Sequence, residues 1–397
     1  MNHIDAVHAG LLLGTAILVA LLSKRLRIPY AVGLMAAGAL LALFRVDFGL
    51  VLSADLILMA FLPALIFQGA IGIDWKAARK LAPAVVIVAA GAILVTMAVT
   101  AAGLIWILGF SPSVAFLFGA LIAATDPVAV LAIFSDSKVP ERIRLMLEGE
   151  SLINDGLGAT LFILMLGWSE GHAAGPGMAS WTIAKSIVGG VGCGAAGAVL
   201  AHIVAGRTRD DIIEIAISIF AAYGSYMLAD SFGASGILAA LTAGLMLCNF
   251  TLAPGITSEG KEALASFWRF AAFVANTLIF LLIGAGEANL FEVELFDEAL
   301  IAFGLVLAGR AAAIYCAARV LPPVKRALRG GGQHVAVWGG LRGAMPLALA
   351  LSIPPSEPYR DMLLTITFGV VAMSMLGQAL TLPLLLRRID FGSDEPA

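Results

Sequence analysis

Apolar runs about as long as a bilayer is thick follow one another along this chain, separated only by short polar breaks. They fall at 6–22, 28–44, 50–72, 81–108, 113–134, 144–168, 182–205, 211–231, 235–250, 264–285, 297–320, 333–353 and 361–386. Thirteen helical spans of roughly 20 residues use about 260 residues and leave only short connections. The expectation is one all-α membrane domain over 1–397, with no polar stretch long enough for a separate soluble core. Composition agrees, with 60% of residues hydrophobic and 13% charged, against about 45–50% and about 25% in soluble domains.

The net charge of −3 and the lack of a Lys/Arg block give no footing for nucleic acid. Cys193, Cys248 and Cys316 lie in separate apolar runs without metal-ligand spacing, and read as reduced packing residues. No basic segment or small-residue cleavage site precedes the first run, so it is expected to remain as a span. With the N-terminus outside, nineteen Lys and Arg fall in inside loops and two, Arg45 and Arg360, in outside ones. Lys185, Arg310 and Arg342 fall inside spans or at their ends. Short-loop basic residues face the cytoplasm. The expected topology is N-out, C-in, in the cell's inner (plasma) membrane. The acidic loop 287–298 then lies outside.

Two spans contain residues that break helices. Span five carries Thr125-Asp126-Pro127; proline removes a donor and disfavours helical geometry at the residue before it. Span twelve carries Gly339-Gly340-Leu341-Arg342-Gly343-Ala344-Met345-Pro346. Five and twelve differ by seven, an odd offset, so the two run in opposite directions. That pairs spans 1–6 (residues 1–168) with spans 8–13 (211–386) as inverted six-helix repeats. Span seven (182–205) links them, and 387–397 forms a short cytoplasmic tail. Interrupted helices at matching places in two halves point to a transporter's midplane site.

Carboxylates in hydrocarbon are costly and mark ion or proton paths. Asp126 lies in the first break; Glu150 and Asp155 lie on span six. There Glu150 and Asn154 are i,i+4, as are Ser151 and Asp155, so two adjacent stripes form one polar face. Unwinding at Asp126 would add the Thr125 carbonyl and hydroxyl. Oxygen donors of this kind suit hard cations, and no His or Cys accompanies them. A buried carboxylate balanced between desolvation and a bound cation holds a proton or a cation, rarely both. Such competition is sufficient for coupled exchange. Arg342 is the natural counter-charge for Glu150, since an unpaired buried charge is strongly destabilising. Arg310 reads as paired or as capping broken-helix carbonyls. Glu148, Glu214 and Asp230 read as solvated near span ends, Lys185 as snorkelling, and His172 and His334 as ordinary loop or end residues.

At these residues the chain resembles the monovalent cation:proton antiporters of the electroneutral type, a family of bacterial sodium/proton antiporters and animal sodium/proton exchangers. The matching stretches are Ala124–Val130, Glu148–Gly156, Gly339–Ala344 and Phe61–Ala70. The resemblance implies a homodimer in which spans 4–6 and 11–13 form a moving core. It implies that Asp155 binds the ion and the proton, with Asp126, Ser151 and Thr125 completing a Na+ site. Asn154, Pro127 and a Glu150–Arg342 pair would support that site. Relatives with Asn-Asp exchange one cation for one proton and those with Asp-Asp are electrogenic, so Asn154-Asp155 implies electroneutral exchange. A soluble regulatory tail is not expected.

The reading is therefore a secondary antiporter exchanging Na+ or Li+ for H+, not an enzyme, with no cofactor and no nucleotide-binding motif. A K+/H+ antiporter is the alternative, because oxygen ligands do not fix cation size. An intramembrane aspartyl protease would need Tyr-Asp and Gly-x-Gly-Asp contexts, which are absent. A passive channel would need no protonatable ligand.

Overall fold

A computed structural model describes residues 3–26, 28–44, 53–135, 137, 139–172, 175–205, 210–251, 258–290 and 295–391. The basic residues Arg27, Arg45, Lys138, Arg207 and Arg209, the acidic Glu292 and Glu294, and tail residues 392–397 lie outside them.

All regular structure among the described residues is helical, as the apolar runs require: hydrocarbon offers backbone groups no partner outside the helix itself. The elements are α1 (His3–Leu26), α2 (Tyr30–Leu43), α3 (Leu56–Gly72), α4 (Trp75–Leu108), α5 (Pro112–Ala123) and α6 (Pro127–Ser135). Then follow α7 (Glu141–Ser169), α8 (Pro176–Ala205), α9 (Asp211–Ser231), α10 (Gly236–Asn249), α11 (Ser258–Leu290) and α12 (Phe296–Val320). The last are α13 (Pro322–Ala327), α14 (Gly332–Trp338), α15 (Ala344–Leu351) and α16 (Arg360–Arg388). Seven of the described helices are long and apolar enough to cross a membrane. The first run lies on the 24-residue α1, four others carry shorter apolar helices, and two runs are split, at 124–126 and at 339–343.

Local signals set the ends. Asp74 caps α4 by accepting from Lys76 N at 2.8 Å, and Gly109 closes it in the left-handed region at φ 70°. Asp210 caps α9 through Ile212 N and Ile213 N, and Ser235 caps α10 through Leu238 N. Pro346, grouped by sequence with the breaking residues, instead sits in the first turn of α15. Its missing N–H would have had no partner there in any case.

The helices sort into two bundles. In one, α4 packs on α5, α7 and α12, and α16 packs on α12 and α15. In the other, the scaffold, α1 packs on α2, α2 on α11, α3 on α10 and α11, and α8 on α9 and α10. Small residues let backbones touch within a bundle: a Cβ on Gly38 of α2 would fall on the Leu281 carbonyl oxygen, and one on Gly284 of α11 on that of Met35. Contacts between bundles are sparser and run mainly from α7 to α8 and α10. One side chain departs from expectation on the scaffold side: Glu214 is buried rather than solvated, because α9 turns it inward. Cys316, read as a packing residue, is exposed.

Candidate functional site

The two breaks lie against each other. Asp126 N, freed from helix by Pro127, donates to the carbonyl oxygen of Leu341 in the second break at 2.8 Å. Pro127 itself is the first residue of α6, where its fixed φ suits a helix start. The Asp126 carboxylate abuts the backbone at Gly343, the residue before α15, and a Cβ on Gly343 would coincide with it. Helix N-termini favour negative charge. In return, Arg342 reaches into the first break: Nη1 donates to the carbonyl oxygens of Ala123 and Ala124, at 2.6 and 2.7 Å. These are the orphan acceptors at the C-terminus of α5. Each break thus supplies the charge that suits the other's helix end.

This use of Arg342 corrects the expected Glu150–Arg342 pair. Glu150 is held by Arg310 instead, through a two-pronged contact of Nη1 to Oε1 at 2.7 Å and Nη2 to Oε2 at 3.1 Å. Arg310 Nε donates to the Ala336 carbonyl oxygen of α14 at 2.9 Å. Glu150 and Arg310 are 1% and 2% exposed. Arg310 lies on unbroken α12 and crosses Gly340 so closely that a Cβ there would meet its guanidinium. Asn154 Nδ2 donates to Glu150 Oε1 at 3.3 Å, which makes Asn154 a supporter of the ion pair.

Among the described residues, Asp155 has no cationic partner. It is 7% exposed, and its Oδ1 has no hydrogen-bond partner among the described residues. The two buried arginines nearby are both committed, Arg310 to Glu150 and Arg342 to carbonyls. Asp126 lies within electrostatic reach of Asp155. Thr125 Oγ1 and Ser151 Oγ share a hydrogen bond at 2.9 Å, joining the first break to α7 one turn before Asp155. The structure therefore brings the buried Thr125, Ser151, Asn154 and Asp155 together with the half-buried Asp126. Arg342 reaches the edge of this group, where its Nη1 donates to the Ala123 and Ala124 carbonyl oxygens.

Sequence reading passed over Ser374 and Gln378. Ser374 Oγ accepts from Arg342 N at 3.0 Å and donates to Gln378 Oε1 at 2.8 Å; Gln378 Nε2 donates to the Trp338 carbonyl oxygen at 3.0 Å. They lie in a wide π-turn of α16, Ser374–Ala379, and hold the second break from behind. Their signal was available: an i,i+4 polar pair in an apolar span.

Residues 13–388 match the family model of the transmembrane sodium/hydrogen exchanger. The chain belongs to this family. Its members are transporters rather than enzymes, and this exchanger is a multi-pass membrane protein. It is 34% identical over 397 residues to the Na+/H+ antiporter NhaS2 of Synechocystis sp., covering 97% of this chain and 71% of that protein. It is 34% identical to the Na+/H+ antiporter ApNhaP of Aphanothece halophytica, covering 96% and 74%. Its fold is similar to that of the sodium proton antiporter MjNhaP1 of Methanocaldococcus jannaschii, with a TM-score of 0.77 at 20% identity, covering 98% and 99% of the two chains.

Proposed function

We propose that this exchanger moves Na+ in one direction and H+ in the other, with both competing for Asp155. One observation carries the mechanism: a buried carboxylate whose neighbouring arginines are both engaged elsewhere. An uncompensated charge there is strongly unfavourable, so Asp155 is occupied either by a proton or by a cation. Asp126, Ser151 and Thr125 supply the further oxygens a hard cation needs, and Asn154, Glu150, Arg310 and Arg342 hold their frame. Exclusive occupancy gives one cation for one proton and electroneutral exchange. No cofactor or nucleotide takes part.

The bundle containing α4–α7, α12 and α14–α16 rocks against the other, exposing Asp155 to each side in turn. The sparse contacts between bundles support this division. The meeting of two breaks, one in each half of the chain, supports thirteen spans in two inverted repeats within one membrane domain. The basic bias supports N-out, C-in insertion in the plasma membrane. The working assembly is a homodimer, as the family resemblance implies.

In proteoliposomes, an imposed Na+ gradient should move protons at a rate indifferent to clamping the membrane potential. Lowering pH should raise the apparent KM for Na+ with little change in Vmax, as competition demands. Asp155→Asn, folded by Tm, should lose exchange; retained exchange would sink the assignment of Asp155. A dependence on potential would remove the one-to-one ratio.

A further inference from the structure

A cavity of about 920 Å³ lies between the two bundles, and none of Thr125, Asp126, Ser151 or Asp155 lines it. Its volume is that of a pocket for a sizeable small molecule. One wall comes from the scaffold, with Lys24 of α1 and Phe273 of α11; the other comes from the core bundle, with Ile133 of α6 and Leu386 and Arg387 of α16. Lys24 and Arg387 are exposed, and neither forms an ion pair among the described residues. Among the described residues, no Asp or Glu lines the cavity. Two exposed cations over largely apolar walls do not suit a cation as the resident ligand. They match a ligand with an anionic head and a hydrocarbon tail.

We propose that the cavity binds an anionic phospholipid, its phosphate between Lys24 and Arg387 and an acyl chain against Phe273, Ile133 and Leu386. The two cations belong to different bundles, so a bound phosphate straps the bundles together and slows their relative motion. The strapping effect rests on the alternating-access reading above; the binding does not.

Purified full-length protein in neutral detergent is titrated with phosphatidylglycerol, with phosphatidylcholine and inorganic phosphate as controls. Tm and lipid retained in native mass spectrometry are followed. Phosphatidylglycerol should raise Tm and be retained, and the two controls should not. Lys24→Ala and Arg387→Ala should each weaken binding roughly fivefold, about 1 kcal/mol per cation, while Lys24→Arg keeps it. Ala132→Phe, which fills the cavity from α6 with the charges intact, should also abolish retention. Equal effects of both lipids, an unchanged affinity in the Lys24→Ala/Arg387→Ala double variant, or full reproduction by inorganic phosphate would each overturn the lipid site. In proteoliposomes, phosphatidylglycerol should slow the unsubstituted protein and not the double variant; specific binding with an unchanged rate would overturn the strap. Absence of exchange in every lipid would count against the transport reading alone.

Discussion

The two broken helices meet at one point but are built from opposite materials. The first break, Ala124-Thr125-Asp126, is rich in oxygen: a hydroxyl, a carboxylate and freed carbonyls. The second, Gly339-Gly340-Leu341-Arg342-Gly343, offers one cation and three places without a side chain. All three are filled by neighbours, two of them by charged side chains, Gly340 by Arg310 and Gly343 by Asp126. A pair of matching interruptions has thus divided its labour. One presents oxygens; the other makes room and neutralises helix ends.

The hardest way to break this division is to strip the ion pair that borders both breaks. Arg310→Ala leaves Glu150 charged and buried, which should cost about 3–5 kcal/mol and be read as a large fall in Tm. The double variant Glu150→Gln/Arg310→Gln should recover part of it. Next come the glycines. Gly340→Ala forces the Arg310 guanidinium aside and should lower stability by about 1–3 kcal/mol. Gly343→Ala displaces the Asp126 carboxylate and should raise the apparent KM for Na+ more than it lowers Tm. Equal effects of the two glycine substitutions on KM would erase the distinction between room-making and ligand-holding. Arg342→Met leaves the Ala123 and Ala124 carbonyls without their donor, with an expected loss of about 1–3 kcal/mol; Arg342→Lys should retain much of it, since a single nitrogen serves both acceptors. The smallest effect belongs to Ser151→Ala. It removes the hydrogen bond to Thr125 and should raise the apparent KM for Na+ about fivefold, the worth of one such bond.

Much of this site was legible in the sequence because hydrocarbon leaves few explanations for a charge. Asp126 before proline, and Asp155 on a polar stripe of an apolar span, stood out on composition and period alone. The partner of Glu150 did not. Both Arg310 and Arg342 lie in apolar runs, and periodicity on one helix cannot say which of two other helices faces it. Arg342 looked favoured because it sits in a break. That same break turns it toward the carbonyls of α5, while the unbroken α12 carries Arg310 past Gly340 to the carboxylate. The doubled glycine at 339–340 was the overlooked sign, read as a helix breaker when Gly340 is also a passage for a large side chain. The wide turn at Ser374–Ala379 had no such sign beyond its two polar residues.

The reach of Arg342 into the first break has a consequence for how the protein is made. Until Arg342 has been synthesised, more than half the chain later, the carbonyls of Ala123 and Ala124 lack the donor that satisfies them in the finished fold. Unsatisfied backbone groups are unfavourable in hydrocarbon. The first half of the protein therefore enters the bilayer unfinished, and its first break is completed only when the second half arrives. Biogenesis has a late, decisive step, and a nascent chain stalled before residue 342 should be a substrate for membrane quality control rather than a leak for ions.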